Sequence, residues 1–325
     1  SYDTPFVTTL TCGTGDFDGT SSSEEFIRLG SVNNPKGAVG AVGMATTGTH
    51  TAYNNIVNMG FYEGVFSKDL WYAGAVVAMG HMAIVRTYPN PNDAEDAAEA
   101  FSKWSNLMGD PALHLWTGTP VNFNFSHPSE ITLGNTMLDL VITNEDGNVV
   151  EGARVTLLMG NDDIFTTGLT DENGQITLTW DTVMSGNMDI TVIKRNHRPY
   201  EGSIEISDAV GAAVSMNSSE IHVNSGEETD IAISLHNYGT SMADDVFVEL
   251  FSNSEYVTIL DPMMMVGDLE ISEGAVVNFP IYVHGTAYHM EELSMFLKIT
   301  DSNDNVWVNY VPVHVMGPSL FISGY

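Results

Sequence analysis

Apolar positions fall into two regimes along the chain. Up to about residue 118, short apolar runs of strand length alternate with longer stretches of helical length. Residues 5–11 (Pro-Phe-Val-Thr-Thr-Leu-Thr) are β-prone and end at Cys12. A Gly13-Thr14-Gly15-Asp16-Phe17 turn follows, and Ser21-Ser22-Ser23-Glu24-Glu25 then reads as a helix N-terminus leading into Phe26-Ile27-Arg28-Leu29. Ala38 to Met44 is an apolar run bounded by glycines, which predicts a buried parallel strand. Three helices are expected near 53–66, 69–88 and 93–107, the last opening on Pro91-Asn92-Asp93 with an acidic first turn. Strands alternating with helices predict an α/β layer.

From Thr117-Gly118-Thr119-Pro120 onward the pattern changes to short β-rich runs separated by Asn/Asp/Gly turns. Thr136–Thr143, Ala153–Leu158, Gln175–Trp180 and Met188–Lys194 predict one β-sandwich of immunoglobulin type. Asn173-Gly174 is read as a hairpin turn within it. A second sandwich begins near Ala212, with strands at Glu220–Val223, Asp230–Leu235, Val246–Phe251, Val276–His284, Leu293–Thr300 and Val306–Val315. The expected domains are therefore 1–118, 119–207 and 208–325, joined at Asp208 to Gly211. Met263-Met264-Met265 reads as filler at an irregular core edge.

Composition narrows the function. The formal charge is −32, and residues 208–325 hold 17 acidic residues against a single base, Lys298. Such a surface repels phosphate backbones and excludes nucleic acid as a partner. It suits a solvated extracellular protein, one adapted to salt, or one that binds divalent cations. No apolar run approaches the roughly 18 residues of a membrane span. The longest, Ala73 to Val85, is interrupted by Gly74, Gly80 and His81 and reads as a buried helix. The chain shows no signal peptide or targeting tail, and Ser1-Tyr2-Asp3-Thr4-Pro5 runs directly into a strand, as expected inside a longer product. With one cysteine there is neither a disulfide framework nor a cysteine-rich zinc site, so Cys12 is either a buried inert thiol or a nucleophile.

The acidic turns Asp16/Asp18, Asp162/Asp163, Asp171/Glu172 and Asp301/Asp304 offer oxygen ligands that could hold a structural Ca²⁺, or are simply solvated. None has EF-hand spacing, and the histidines show neither His-x-x-x-His nor Cys/His metal spacing.

Strand, cysteine, Gly-Asp-Phe turn and helix together resemble the catalytic core of the gingipain family, secreted bacterial cysteine endopeptidases with a caspase-like α/β fold. The residues that carry the resemblance are Pro5-Phe6, Cys12, Gly15-Asp16-Phe17, Glu25-Phe26, Gly37-Ala38-Val39 to Met44 with Ala45-Thr46-Thr47, and Trp104-Ser105-Asn106-Leu107-Met108-Gly109-Asp110-Pro111-Ala112-Leu113. The resemblance implies a caspase-like half-domain, a parallel sheet with flanking helices, followed by two immunoglobulin-like sandwiches. It implies a secreted or cell-surface endopeptidase fragment with Cys12 as nucleophile and the backbone of Cys12 and Gly13 near the oxyanion.

The family's base is a histidine in a His-Gly context on the preceding strand. Only 11 residues precede Cys12 and none is histidine. A segment or chain of the same precursor would have to supply it, which makes that segment an expected partner beside the protein or peptide substrate. The loop after the second strand corresponds to the family's primary pocket, here carried by Thr46, Thr47, His50 and Tyr53. That loop, Met44 to Asn58, also holds Thr49 and Asn54 but no carboxylate, so a pocket for basic side chains is not supported. His50 is expected at the pocket or surface and His81 in the core. Two other functions compete: a non-catalytic surface or adhesion protein that keeps a protease-like scaffold, and a sortase-like transpeptidase that uses the same nucleophile on an amine acceptor.

Overall fold

The computed structural model describes residues 4–317 apart from Val32, residues 90–96, Ala209 and residues 218–219. The expected helix start at Pro91-Asn92-Asp93 and part of the joint at Asp208–Gly211 lie outside the described residues. The chain divides into two compact units, Ser1–Pro120 and Val121–Tyr325.

The first unit contains β1 (Phe6–Thr9), α1 (Ser22–Arg28), β2 (Gly30–Ser31), β3 (Asn34–Pro35), β4 (Gly40–Met44), α2 (Thr51–Ser67), α3 (Ala73–Thr87), α4 (Ala97–Trp104) and β5 (Ser105–Met108). Ser21 caps α1 by accepting the Glu24 N–H at 3.4 Å, which satisfies one of the helix's orphan donors. The sheet order is β1-β4-β5, with β1 parallel and β5 antiparallel to β4. The sheet is thus mixed, and the residues expected to end a helix at 107 instead form its third strand. Every residue of β4 is buried, as a central strand flanked on both edges should be.

Helices α2 and α3 approach closely because glycines line their contact. A Cβ built on Gly60 would lie 2.4 Å from the Ala83 Cβ, and one on Gly80 would lie 2.9 Å from the Val57 carbonyl. Phe61, Val65, Val76 and Val77 pack with Val42 of β4 into one apolar cluster. His81 is half-buried on α3, with Nε2 2.7 Å from the Ser105 hydroxyl. Burial holds its pKa below the ordinary histidine value, against a smaller opposing pull from the Ser105 backbone, and it is a packed side chain.

The second unit is almost wholly β. Its first half contains β6 (Glu130–Thr132), β7 (Met137–Val141), β8 (Arg154–Met159), β9 (Ile164–Leu169), β10 (Gln175–Thr179), β11 (Gly186–Ile193) and β12 (Tyr200–Ser207). These form a β10-β7 pair and a five-stranded sheet ordered β6-β12-β11-β8-β9. Alternate residues of the two sheets, including Leu138, Leu140, Val155, Leu157, Ile190 and Ile204, share one core. Asn173-Gly174 does make a turn, with Gly174 at φ +70°. It joins β9 to β10 across two different sheets and so is not a hairpin between paired strands.

The second half contains β13 (Val214–Met216), β14 (Ile221–Asn224), β15 (Glu228–Asn237), β16 (Ala243–Ser252), β17 (Val257–Ile259), β18 (Met263–Leu269), β19 (Gly274–Val283), β20 (Met295–Thr300), β21 (Val306–Val311) and β22 (Val313–Met316). The sheets are β13-β15-β19-β17 and β18-β16-β20-β21, with β14-β22 as a separate parallel pair. One core of residues such as Ile231, Val248, Phe279, Leu297 and Trp307 lies between them. The methionine run opens β18, and Met263 and Met265 point outward and are exposed.

Buried amides pin these sheets. Asn237 is fully buried; Oδ1 accepts the Ala213 and Gly239 N–H groups, and Nδ2 donates to the carbonyls of Ser241 and Leu269. Asn309 joins the two halves. Its Oδ1 accepts the Met216 N–H at 2.7 Å, while Nδ2 donates to the Gly134 carbonyl at 2.7 Å and approaches the Thr136 hydroxyl at 3.3 Å. Beside it, Gly134 at φ +103° leaves no room for a side chain, because a Cβ there would meet Trp307 at 2.7 Å.

The Asn309→Leu variant should lose about 2–4 kcal/mol of stability, because it strands the Met216 N–H and the Gly134 carbonyl in an apolar junction. Urea unfolding of the full chain checks this. A midpoint unchanged from the parent would show that the junction does not depend on the amide.

Candidate active site

The turn after β1 is held by its own backbone and by one hydroxyl. The Thr14 hydroxyl donates to the carbonyls of Thr9 and Thr11, and it also accepts the Met44 N–H at 3.3 Å. The Gly15 N–H donates to Met44 O at 2.9 Å and the Ser23 N–H to Thr14 O at 2.8 Å, so the turn is bonded to both β4 and the first turn of α1. The fit is tight enough to exclude side chains. A Cβ on Gly15 would lie 2.6 Å from the Gly43 carbonyl carbon, and one on Gly43 would lie 2.3 Å from the Ser23 hydroxyl.

Cys12 projects from this turn and is exposed. The buried, inert alternative for the lone cysteine is thereby removed. Its sulfur lies 3.0 Å from the Thr49 hydroxyl and 3.8 Å from the Thr49 carbonyl. The Thr49 hydroxyl, followed by the Thr49 backbone, pulls the thiol below the ordinary cysteine value, against a smaller opposing effect of desolvation. The Thr49 hydroxyl also accepts a hydrogen bond from Asn54 Nδ2 at 3.1 Å.

The other expected site residues occupy the same loop but do different things. Thr46 bridges to the turn: its carbonyl accepts the Gly13 N–H at 2.7 Å. That bond takes the Gly13 amide out of the oxyanion role expected for it. The Cys12 N–H makes no backbone–backbone hydrogen bond among the described residues and lies close enough to its own sulfur to add to the lowering of the thiol. Thr47 is exposed, and its methyl lies 3.5 Å from where a Gly13 Cβ would stand. His50 caps α2, with Nδ1 accepting the Ala52 N–H at 3.2 Å, and its ring is exposed. Tyr53 is half-buried, edge-on to Tyr88 at 5.4 Å and to Phe101 at 5.2 Å. Tyr53 thus packs into an aromatic cluster while one side of its ring lies beside exposed His50, 5.6 Å away.

Sequence reasoning did not single out Thr49 and Asn54 within the loop. No pattern marked them among four threonines and two asparagines in residues 46–55; only the fold carries Thr49 to the sulfur. The acidic turns mostly close on themselves. Asp171 Oδ1 accepts the N–H groups of Asn173 and Gln175, and Asp301 Oδ1 accepts those of Asn303 and Asn305. Among the described residues, no group of three or more His, Cys, Asp or Glu side chains gathers as a metal site. No helix is long and apolar enough to cross a membrane.

The first unit thus holds an exposed thiol at the end of a parallel strand, in a mixed sheet flanked by helices, and the comparisons with known proteins concern this region first. Residues 1–116, about a third of the chain, match the family model of peptidase family C25, and the fold is similar to that of gingipain structures. The crystal structure of the Arg-specific cysteine proteinase gingipain R (RgpB) aligns with a TM-score of 0.51 at 19% identity, covering 63% of this chain and 46% of that one. A complex of Porphyromonas gingivalis RgpB pro- and mature domains aligns with the same score at 18% identity, covering 63% and 47%. This chain thus spans about half the length of those structures, and the likeness extends beyond its first unit. No curated protein matches it.

Gly43→Ala should cost about 2 kcal/mol or more through overpacking against Ser23 and the Gly15 backbone, and it should slow alkylation of Cys12 by displacing the turn. Thermal unfolding and thiol-labelling rates measured on one sample check both effects. An alanine tolerated without change in either would contradict the close approach.

Proposed function

We propose that the chain is the nucleophile-bearing part of a secreted thiol endopeptidase, with the base histidine delivered by a segment outside these residues. The carrying observation is the exposed Cys12 thiol, held at the end of β1 and lowered in pKa, inside the region that matches a cysteine peptidase family. In the reaction, the thiolate attacks the scissile carbonyl carbon and the C–N bond breaks. The amine leaves with the proton held by the histidine, and water then releases the acyl group from sulfur. The Cys12 N–H, which donates to no backbone carbonyl among the described residues, is a candidate donor for the developing oxyanion.

Two features support an external base. His50 is committed to capping α2 through Nδ1, and His81 is tied to Ser105 in the core. Among the described residues, no histidine ring nitrogen lies within hydrogen-bond distance of the Cys12 sulfur. A partner segment of the same precursor fits this need; one similar structure is a complex of RgpB pro- and mature domains, so in that protein two parts of a precursor associate. The two sandwiches, of immunoglobulin type in this reading, serve as a stalk, and the strongly acidic surface suits an extracellular setting.

The test is hydrolysis and labelling by the full precursor. Cys12→Ala should abolish peptide hydrolysis and covalent capture of a peptidyl acyloxymethyl ketone, with a loss of about 10³-fold or more for a missing nucleophile. Retained hydrolysis in that variant, or a parent precursor inert to the ketone, would defeat the peptidase reading. Inertness would favour the scaffold alternative, whereas transfer of the acyl group to an added amine in preference to water would favour the transpeptidase.

A further inference from the structure

We propose that Thr49 and Asn54 are positioning residues for the Cys12 thiolate, acting as a two-step hydrogen-bond chain in which the Asn54 amide orients the Thr49 hydroxyl toward the sulfur. This deepens the reading of Cys12 as a nucleophile and rests on it, but it concerns how the sulfur is held and not what it attacks.

The argument begins from what a hydroxyl can do. Thr49 Oγ1 has one proton and two lone pairs. Asn54 Nδ2 donates into one lone pair at 3.1 Å, and the sulfur stands 3.0 Å away on the other side. With the amide donating, the threonine proton is left for the sulfur. A hydrogen bond from that proton favours the charged form of the thiol over the neutral one. Asn54 is well suited to fix this polarity. It lies in the first turn of α2, its backbone N–H is bonded to the His50 carbonyl, and the residue is only 6% exposed. Its Oδ1 is buried without a donor, so among the described residues the side chain's one hydrogen bond is that to Thr49. A buried amide that leaves half of its capacity unmet carries a cost, and orientation of the Thr49 hydroxyl is the return visible at this position. The reversed amide would draw the threonine proton onto Oδ1 and turn a lone pair toward the sulfur, disfavouring the thiolate. The two arrangements therefore predict opposite titration behaviour.

Because Cys12 is the sole cysteine, its titration can be read without interference from the pH dependence of iodoacetamide alkylation on the intact chain. In Thr49→Val, the alkylation midpoint should move to higher pH and the rate at neutral pH should fall about threefold or more. Thr49→Ser should restore the parent profile. Asn54→Asp, which replaces the donor by an acceptor, should also raise the midpoint. Circular dichroism confirms that each variant is folded, and partly exposed Thr49 supplies the test even if the Asn54 variant does not fold. A Thr49→Val midpoint equal to or below the parent's overturns the proposal. The titration needs neither substrate nor base. A Thr49-dependent midpoint in a chain whose precursor ignores peptidyl electrophiles would sink the peptidase reading and leave this one standing; normal peptidyl labelling with a Thr49-independent midpoint would do the reverse.

Discussion

The geometry around Cys12 depends on how closely two stretches of backbone approach each other. The turn that carries the thiol lies against β4 at Gly15 and Gly43, where neither residue has a side chain to keep them apart. That contact brings the Gly15 N–H to Met44 O and the Gly13 N–H to Thr46 O. The second of these bonds anchors the start of the loop that leads to Thr49. A side chain at either glycine would push the turn away from the strand, and the sulfur would lose its partner in the loop along with its place at the sheet edge. Gly13, at φ +68°, adds the left-handed conformation that lets the chain reverse directly after the cysteine. The nucleophile is thus placed by the absence of side chains more than by any attractive contact of its own.

The second unit meets the opposite problem, since its strands must be locked across apolar cores that carry no directional information. Its answer is a few buried amides. Asn237 and Asn309 each satisfy several backbone groups at once, at points where strands or sheets meet. Such networks are worth keeping only when nearly every polar atom is paired, and both asparagines meet that condition. The acidic residues play almost no part in this interior. Of 42 acids, Asp301 is the one buried among the described residues, and its carboxylate is taken up by the turn between β20 and β21. The negative charge therefore belongs to the surface, where it bears on solubility and partners but not on the fold.

How much of this was legible varies with the range of the interaction that decides it. The parallel pairing of β1 with β4 and the Ser21 cap of α1 could be read from local pattern, because apolar runs and capping residues act within a few positions. Ser105–Met108 could not, since it continues a helical segment without a break and becomes a strand only through pairing with β4, more than 60 residues away in sequence. Strands β9, β12 and β18 were also not anticipated, although each pairs with a strand close by in sequence. The methionines of β18 were read as core filler because side-chain type suggests burial, whereas the strand's pleat turns Met263 and Met265 outward. Asn173-Gly174 signalled a turn correctly, but residue type cannot say whether the strands on either side pair with each other. At the site, Cys12 stood out as the sole thiol. Thr49 and Asn54 did not, because a relay through two neutral side chains leaves no compositional mark.

The polarity of that relay has a wider chemical consequence. An exposed thiol in water is mostly protonated at neutral pH, and neither exposure nor a strand-end position changes that. What distinguishes Cys12 is a donor aimed at its sulfur before any base arrives. A neutral donor stabilises the anion without competing for the proton, so a histidine brought in from elsewhere would act on a thiol already biased toward ionisation. In the proposed reaction the described fold would hold and prepare the sulfur, and a base from another segment would complete proton transfer.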